Sequence, residues 1–176
     1  HHTWLRRQRQ MCIRDRNVYR YFVFIDWLRR NPVDNVFLVD STDVEVLRNP
    51  FMSINPGRLY IGDEYAMRVE NPWMRTNQEP HLKSLKDYRS VISAHGRNVL
   101  PNCGITGGAY NMVMEYLEHR VILHGTHTKG VLKSTDMAIF NYIVHKYFKG
   151  RTTSGLKINT RFKRYETNKV SFFRHK

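Results

Sequence analysis

The chain has 176 residues, of which 41% are hydrophobic and 12% aromatic, and its formal charge is +14. This composition is typical of a single globular domain and excludes a disordered chain. No apolar run approaches the ~20 residues that span a bilayer. Cys12 and Cys103 supply neither a disulfide framework nor a metal-binding pattern, so we expect a reducing compartment.

Residues 1–16 are interpreted as a non-native segment. The string RRQRQMCIRDR, from Arg6 to Arg16, matches the translation of a transposase adapter that is common in the preparation of sequencing libraries. Such segments are excluded from reasoning about fold. Removing its five arginines and one aspartate lowers the formal charge from +14 to +10. A basic N-terminal arm is the alternative, and residues 17–176 are assigned to the domain itself.

The first predicted elements are a helix and a strand. Residues 17–32 carry apolar side chains at helical spacing and end at Pro32, which predicts a helix, although the run YFVFI also fits a strand. The almost continuously apolar NVFLVD, residues 35–40, predicts a central parallel strand. A loop over residues 49–58 and a short strand over residues 59–64 follow.

The middle of the chain is predicted to mix irregular and helical stretches. Residues 65–83 contain two prolines and are predicted to be irregular, and residues 82–96 are predicted to be helical. NVLPNCGITGG, residues 98–108, is predicted to be a link punctuated by glycine. Residues 109–123 predict a strong helix, and HGTHTKG after it predicts a loop.

The last third begins with the best-marked helix, STDMAIFNYIVHKYFKG, residues 134–150. Ser134 or Thr135 can cap it, and Asp136 suits its positively polarised first turn. Gly150 can end it. LKINTRFKRYE, residues 156–166, alternates like a strand. Strands and helices mixed along the chain indicate an α/β fold.

Two carboxylates, Asp40 and Asp43, follow the first predicted strand. In an open α/β sheet, ligands bind beyond the carboxyl ends of the strands. Two acids there can hold Mg²⁺ or Mn²⁺ and leave positions open for phosphate oxygens. The structural alternative is that Asp40 caps the turn and Asp43 is a solvated acid. A haloacid-dehalogenase phosphatase is disfavoured, because Thr42 stands where that family needs its second aspartate.

Three segments in order, FLVDSTDVEVLRNPF, LPNCGITGGAYNMVMEYL and STDMAIFNYIV, resemble GT-A-fold glycosyltransferases. The resemblance is greatest to nucleotide-sugar-dependent enzymes of the glycogenin and galactinol-synthase kind, and it covers about residues 20–148. It implies a partial GT-A (Rossmann-like) mixed sheet flanked by helices. It also implies an enzyme that moves a sugar from a nucleotide-diphosphate donor to a glycan or other acceptor.

The resemblance assigns roles to particular residues. Asp40 and Asp43 would hold Mn²⁺ or Mg²⁺, although their D-x-x-D spacing departs from the D-x-D of the family. Asp136 would be a catalytic residue that faces the sugar or the acceptor, with an ordinary charge at a helix start as the alternative. Four residues would line the donor sugar, with Asn141 supporting Asp136. These four are Asn102, Gly104, Gly107 and Gly108, and a plain tight turn at Gly107 and Gly108 is the alternative.

The family also uses a late histidine as a third metal ligand. The candidates His124, His127 and His175 are each expected to be solvated, the first two because they precede the helix of Asp136. The resemblance further implies that strands holding the nucleotide base precede the metal motif. We expect those strands to be missing from this chain, and the chain to be inactive by itself.

Two other functions remain open. From Asn141 onward there are ten lysines and arginines against one acid, Glu166, with aromatic residues between them, which suits a binder of nucleic acid or another polyanion. No nucleic-acid-binding motif accompanies them, so nucleic acid is the less favoured partner, and acidic glycans, phosphates or a membrane surface also fit a basic face. A catalytically silent domain of the same fold is the third possibility.

Overall fold

The computed structural model describes residues 16–127, 135–161, 166 and 168–175, with side chains described from Tyr19 onward. Within these residues the fold is mixed α/β, with a four-stranded mixed sheet flanked by helices and a separate two-stranded ribbon. The α/β class and the mixed, helix-flanked sheet predicted from the sequence are confirmed.

The helices and strands have the following bounds. The helices are α1 (Arg16–Arg30), α2 (Pro72–Asn77), α3 (Tyr88–Ala94), α4 (Tyr110–His127) and α5 (Asp136–Lys146). The strands are β1 (Asn35–Val39), β2 (Val44–Val46), β3 (Leu59–Arg68), β4 (Val99–Ala109), β5 (Thr152–Thr153) and β6 (Phe173–His175). Short 3-10 turns cover Pro50–Ser53 and Glu79–Leu82.

The sheet has the order β1-β4-β3-β5, and β4 lies antiparallel between β1 and β3. The pairing of β3 with β5 is the parallel contact in this sheet, among the described strands. β2 and β6 form the separate antiparallel ribbon, in which Val44 is opposite His175. The register of β1 on β4 runs from Asn35 opposite Ala109 to Val39 opposite Ile105.

The prediction that β1 is a central parallel strand is wrong. In the described sheet β1 is an edge strand, antiparallel to β4, and its five residues are half-buried. The run of apolar residues is continuous because the two faces of β1 pack on two different hydrophobic clusters. Val36 and Leu38 pack against the larger hydrophobic cluster, whereas Phe37 and Val39 pack against the smaller one.

The prediction that residues 98–108 form a link is also wrong, because this segment is β4, the strand at the centre of the sheet. Its glycines allow close packing and do not mark turns. A Cβ at Gly107 would overlap the ring of Phe37 on the neighbouring strand. Gly108 has φ +143°, and a Cβ there would lie 2.8 Å from the carbonyl oxygen of Arg58. The glycines therefore led to the prediction of a link, although this strand needs them to pack closely against its neighbours.

Three helices predicted from periodicity are confirmed as α1, α4 and α5. The face of α1 that carries Tyr21, Ile25 and Leu28 is buried, as its spacing predicts. α4 extends through His127, so the predicted loop at residues 124–130 is wrong up to that residue. Thr135 precedes α5 but makes no side-chain capping bond, and Ser134 lies outside the described residues. α5 ends at Lys146, before Gly150.

The remaining local predictions are partly wrong. The strand predicted over residues 59–64 continues to Arg68, and residues 65–83, predicted to be irregular, contain α2 and a 3-10 turn. The helix predicted over residues 82–96 is reduced to α3. Instead of a strand at residues 156–166, the described part forms turns and one bridge from Asn159 to Phe173, and residues 162–165 lie outside the described residues.

Candidate functional site

The candidate site is centred on Gly104 of β4. The backbone N–H of Asp40 donates to the carbonyl oxygen of Gly104 at 3.0 Å, which extends the pairing of β1 and β4 by one residue. A Cβ built on Gly104 would lie 3.0 Å from each of three polar atoms: Asp40 Oδ2, Asn102 Oδ1 and His175 Nε2. These atoms therefore lie within a sphere of 3.0 Å radius around that point. The glycine leaves open a space into which a carboxylate, an amide oxygen and an imidazole converge.

Long-range pairing brings His175 to this place. The turn after Asp40 closes through the N–H of Val44, which donates to the Asp40 carbonyl oxygen at 3.0 Å. β2 begins at Val44, and β6 pairs with it so that His175 is opposite Val44. The expectation that His175 is solvated is wrong, because its side chain is half-buried beside Asp40 and Asn102. The register of a strand pair far along the chain is not visible in local sequence.

Asn102 is oriented by its own hydrogen bonds. Its Oδ1 accepts the N–H of Gly104 at 2.7 Å, and its Nδ2 donates to Glu64 Oε1 on the neighbouring strand. This arrangement directs the amide oxygen toward Asp40 and His175. The three convergent atoms are thus two oxygens and a ring nitrogen, a set that suits a hard or borderline divalent cation.

Asp43 has a different environment from Asp40. Asp43 is exposed, and its Oδ1 accepts a hydrogen bond from Thr42 Oγ1 at 3.3 Å. Its backbone N–H donates to the Asp40 carbonyl oxygen at 3.3 Å, as expected in a tight turn. In the part of the chain that the structure describes, no three His, Cys, Asp or Glu side chains form a group that could hold a metal ion. The convergence at Gly104 therefore consists of Asp40 and His175 with an amide.

Arg20 of α1 connects two of the acids predicted from the sequence. Its Nη1 forms an ion pair with Asp40 Oδ1, and its Nη2 lies 3.1 Å from Asp136 Oδ2. One guanidinium therefore spans the end of β1 and the start of α5. Arg20 also lines a shallow cleft with Leu38, Asp40 and Cys103. Asp40 and Asp136 thus belong to one charged cluster.

Asp136 is a buried, ionised carboxylate. Burial by itself would raise the pKa of Asp136, but the positive charges of Arg120 and Arg20 outweigh that effect and lower it. Arg120 Nη2 donates to Oδ1, and the thiol of Cys103 donates to Oδ2 at 3.3 Å. Burial, with the negative charge of Asp136 adding to it, raises the pKa of the Cys103 thiol, which stays protonated.

Arg120 is fully buried on α4 and is surrounded by aromatic rings. Its guanidinium carbon lies 4.4 Å from the ring centroid of Tyr21 and 5.7 Å from that of Phe140. His124, one turn later on α4, is also buried and stacks on Tyr21 with ring centroids 6.2 Å apart. The expectation that His124 is solvated is therefore wrong. His127 is half-buried, with its Nδ1 3.0 Å from Ser84 Oγ.

Sequence reasoning missed Arg20 and Arg120, which both read as ordinary charges on helices. A signal for Arg120 was present. It lies four residues after Tyr116 and seven after Val113, both buried, so helical spacing places it on the apolar face of α4. A charge on an apolar face requires a buried partner, and Asp136 is that partner.

The predicted sugar-lining residues fall into two groups. Asn102 and Gly104 lie at the convergence with Asp40. Gly107 and Gly108 lie farther along β4 and are packed against Phe37 and Arg58, so their close contacts are with protein atoms. Asn141 is buried, and its Nδ2 donates to the carbonyl oxygens of Pro101 and Met137 at 3.1 and 2.9 Å. It therefore holds α5 against β4 next to Asn102.

The basic residues behind the polyanion hypothesis are partly neutralised. Three of those that the structure describes form ion pairs: Lys146 with Asp87, Arg151 with Glu115, and Arg174 with Glu45. Lys163, Arg164 and Lys176 lie outside the described residues. Binding of nucleic acid or another polyanion stays a prediction from composition.

No family model matches the chain, and no curated protein matches it significantly.

Proposed function

We propose that this chain carries the metal-binding part of a glycosyltransferase that uses a nucleotide-diphosphate sugar and Mn²⁺ or Mg²⁺. The observation that supports this most is the meeting of Asp40, Asn102 and His175 around Gly104. These three residues come from three separate segments of the chain. The resemblance to GT-A enzymes expects an acid after the first strand and a late histidine in such a place.

The residues at Gly104 fit a divalent cation. The space that a Cβ would fill is bounded by a carboxylate oxygen, an amide oxygen and an imidazole nitrogen, and these are donors that Mn²⁺ accepts. Asp40 and His175 would hold the ion, and Asn102 would add its oxygen or fix the position of the other two. Bound there, the ion would act as a Lewis acid that neutralises charge on a diphosphate leaving group.

The side chains around this space have separable tasks. Arg20 presents a guanidinium, which matches phosphate oxygens in geometry and charge. It is held between Asp40 and Asp136, so a diphosphate that draws Arg20 away releases Asp40 for other contacts. Asp136 remains ionised under its two arginines and would position the sugar or the acceptor through the same cluster. Cys103 remains a neutral thiol and takes no part as a nucleophile.

The proposal is tested by thermal unfolding of the full chain with Mn²⁺, with UDP or GDP, and with both together. We expect the pair to raise the melting temperature more than either alone, because ligands that bind the folded state stabilise it. Asp40→Asn and His175→Ala should each abolish this gain, whereas His127→Ala, a histidine away from Gly104, should keep it. A melting temperature of the unmodified chain that Mn²⁺ does not raise, alone or with UDP or GDP, would refute the metal site, and so would a full rise in His175→Ala.

A further inference from the structure

One exposed surface of the molecule combines apolar and basic side chains at the end of the β2–β6 ribbon. We call it the ribbon tip and define it by four apolar residues, Val46, Phe51, Met52 and Val170, and three basic residues, Arg48, Lys157 and Lys169. Met52 is 84% exposed, Val46 58% and Val170 52%. Large apolar side chains grouped on a surface indicate a binding face.

Backbone hydrogen bonds join the distant segments that carry the ribbon tip. The N–H groups of Leu47 and Arg48 both donate to the carbonyl oxygen of Phe172, at 2.8 and 3.2 Å. The N–H of Phe172 donates to the Lys157 carbonyl oxygen at 3.0 Å, and Lys157 Nζ lies 5.7 Å from the Phe172 ring centroid. These bonds place residues 47 and 48 beside Phe172, and Phe172 beside Lys157.

The apolar side chains project from a supported backbone. Asn49 Oδ1 accepts the N–H of Phe51 at 2.9 Å, which caps the 3-10 turn, and Pro50 in that turn is buried. The Phe51 ring packs edge-on against Phe37 with centroids 5.7 Å apart, although half of its side chain remains exposed. Met52 follows it in the same turn. The turn is thus anchored to the smaller core while it presents Met52 to solvent.

The charges at the ribbon tip favour an anionic partner. Arg48, Lys157 and Lys169 are exposed, and no described acid forms an ion pair with them. The nearby Glu45 is already paired with Arg174. The other acid near β2, Asp43, precedes the opposite end of that strand. Basic residues that surround exposed apolar groups are typical of proteins that lie on membranes containing anionic lipid.

We propose that the ribbon tip docks on a bilayer surface that contains anionic lipid. Met52, Phe51, Val46 and Val170 enter the boundary between headgroups and acyl chains, while the three cations contact the headgroups. The proposed contact is peripheral. No helix in the described ranges is long and apolar enough to cross a membrane. Val46 is two residues along β2 from Val44, which is opposite His175, so about 7 Å of strand separates these two positions of the ribbon.

The test is sedimentation of the full chain with vesicles of phosphatidylcholine alone and with added phosphatidylserine. We expect binding to the mixed vesicles that weakens as salt is raised. Met52→Ser with Phe51→Ser should reduce it by about tenfold or more, and Arg48→Glu with Lys169→Glu should remove the preference for phosphatidylserine. Ile122→Ser, which changes an equally exposed residue on α4, is the matched control and should bind normally.

Three results would overturn the proposal. The first is that the unmodified chain does not bind mixed vesicles. The second is that Met52→Ser with Phe51→Ser binds them as tightly as Ile122→Ser does. The third is that light scattering shows a dimer and that the two serine substitutions dissociate it. That result would make the ribbon tip an interface with a second copy of the chain. None of these results depends on glycosyl transfer, so the membrane contact and the proposed enzyme are tested separately.

Discussion

Asp40 and His175, far apart in the sequence, each bring one side-chain atom to 3.0 Å from the point where a Cβ of Gly104 would stand. The contact depends on two strand pairings, β1 with β4 and β2 with β6. Because both pairings are long-range, the site forms only when the sheet and the ribbon have both folded. Function and folding of this region are therefore expected to be lost together.

Gly104→Ala is expected to disturb the candidate site directly. The new methyl group would meet three polar atoms at a distance tighter than ordinary van der Waals contact, two of them on Asp40 and His175. We expect a loss of about 1–3 kcal/mol in the free energy of unfolding and loss of the stabilisation by Mn²⁺ with UDP or GDP. Urea denaturation and thermal unfolding measure the two effects. Gly125→Ala in α4, where a Cβ meets nothing within 4 Å, is the control and should not destabilise. Unchanged stability in Gly104→Ala would contradict the packing described here.

Arg20→Met is expected to change metal and diphosphate binding in opposite directions. Arg20 occupies Asp40 through an ion pair, so its removal frees that carboxylate and should tighten binding of Mn²⁺ alone by several-fold. The same substitution removes a guanidinium that can bind phosphate, so it should weaken the binding of UDP and GDP. Calorimetric titration separates the two. Arg29 lies on the same helix as Arg20 and forms an exposed ion pair with Glu118. Arg29→Met should change neither affinity. Weaker binding of Mn²⁺ alone would argue against competition for Asp40.

Arg120→Met is expected to cost about 3–5 kcal/mol of unfolding free energy, because it removes one partner of a buried ion pair. Asp136 would keep Arg20 at 3.1 Å but would lose the contact made by Arg120. Adding Asp136→Asn to this variant should recover part of the loss, since the uncompensated carboxylate is then gone. Urea denaturation of the single and double variants gives the coupling. A loss under about 1 kcal/mol in the single variant would mean that the pair contributes little.

Acidification is expected to destabilise the fold through two histidines, the buried His124 and the half-buried His145. Burial, assisted by the charge of Arg120, lowers the pKa of His124 to about 3, and burial beside His95 lowers the pKa of His145 to about 4. Both usually titrate near 6.5, so the unfolded chain takes up protons before the folded one does. The free energy of unfolding should therefore fall as pH decreases from about 6.5 to about 4.

The slope of this loss should approach about 1.4 kcal/mol per pH unit for each histidine. Urea denaturation between these pH values measures it. His145→Phe should reduce the slope and keep the stacking on His95, whose ring centroid is 4.5 Å away. A second decline is expected below the usual range of Asp136, whose lowered pKa makes its protonation cost stability. An unfolding free energy that does not change over the upper range would contradict the lowered pKa values of both imidazoles.

The three long helices, the mixed α/β class and the position of Asp40 after a strand could all be predicted from the amino-acid sequence. Apolar spacing in α1, α4 and α5 records which face is buried, and a helix forms its hydrogen bonds within its own segment. The folded chain was needed to show that the glycine-rich residues 99–109 form the internal strand β4 and that β1 lies at the edge. It was also needed to show that His175, Arg20 and Arg120 meet the acids. A strand takes its partner and register from distant residues, and a buried charge takes its partner from another element. Neither choice leaves a periodic trace in the local sequence.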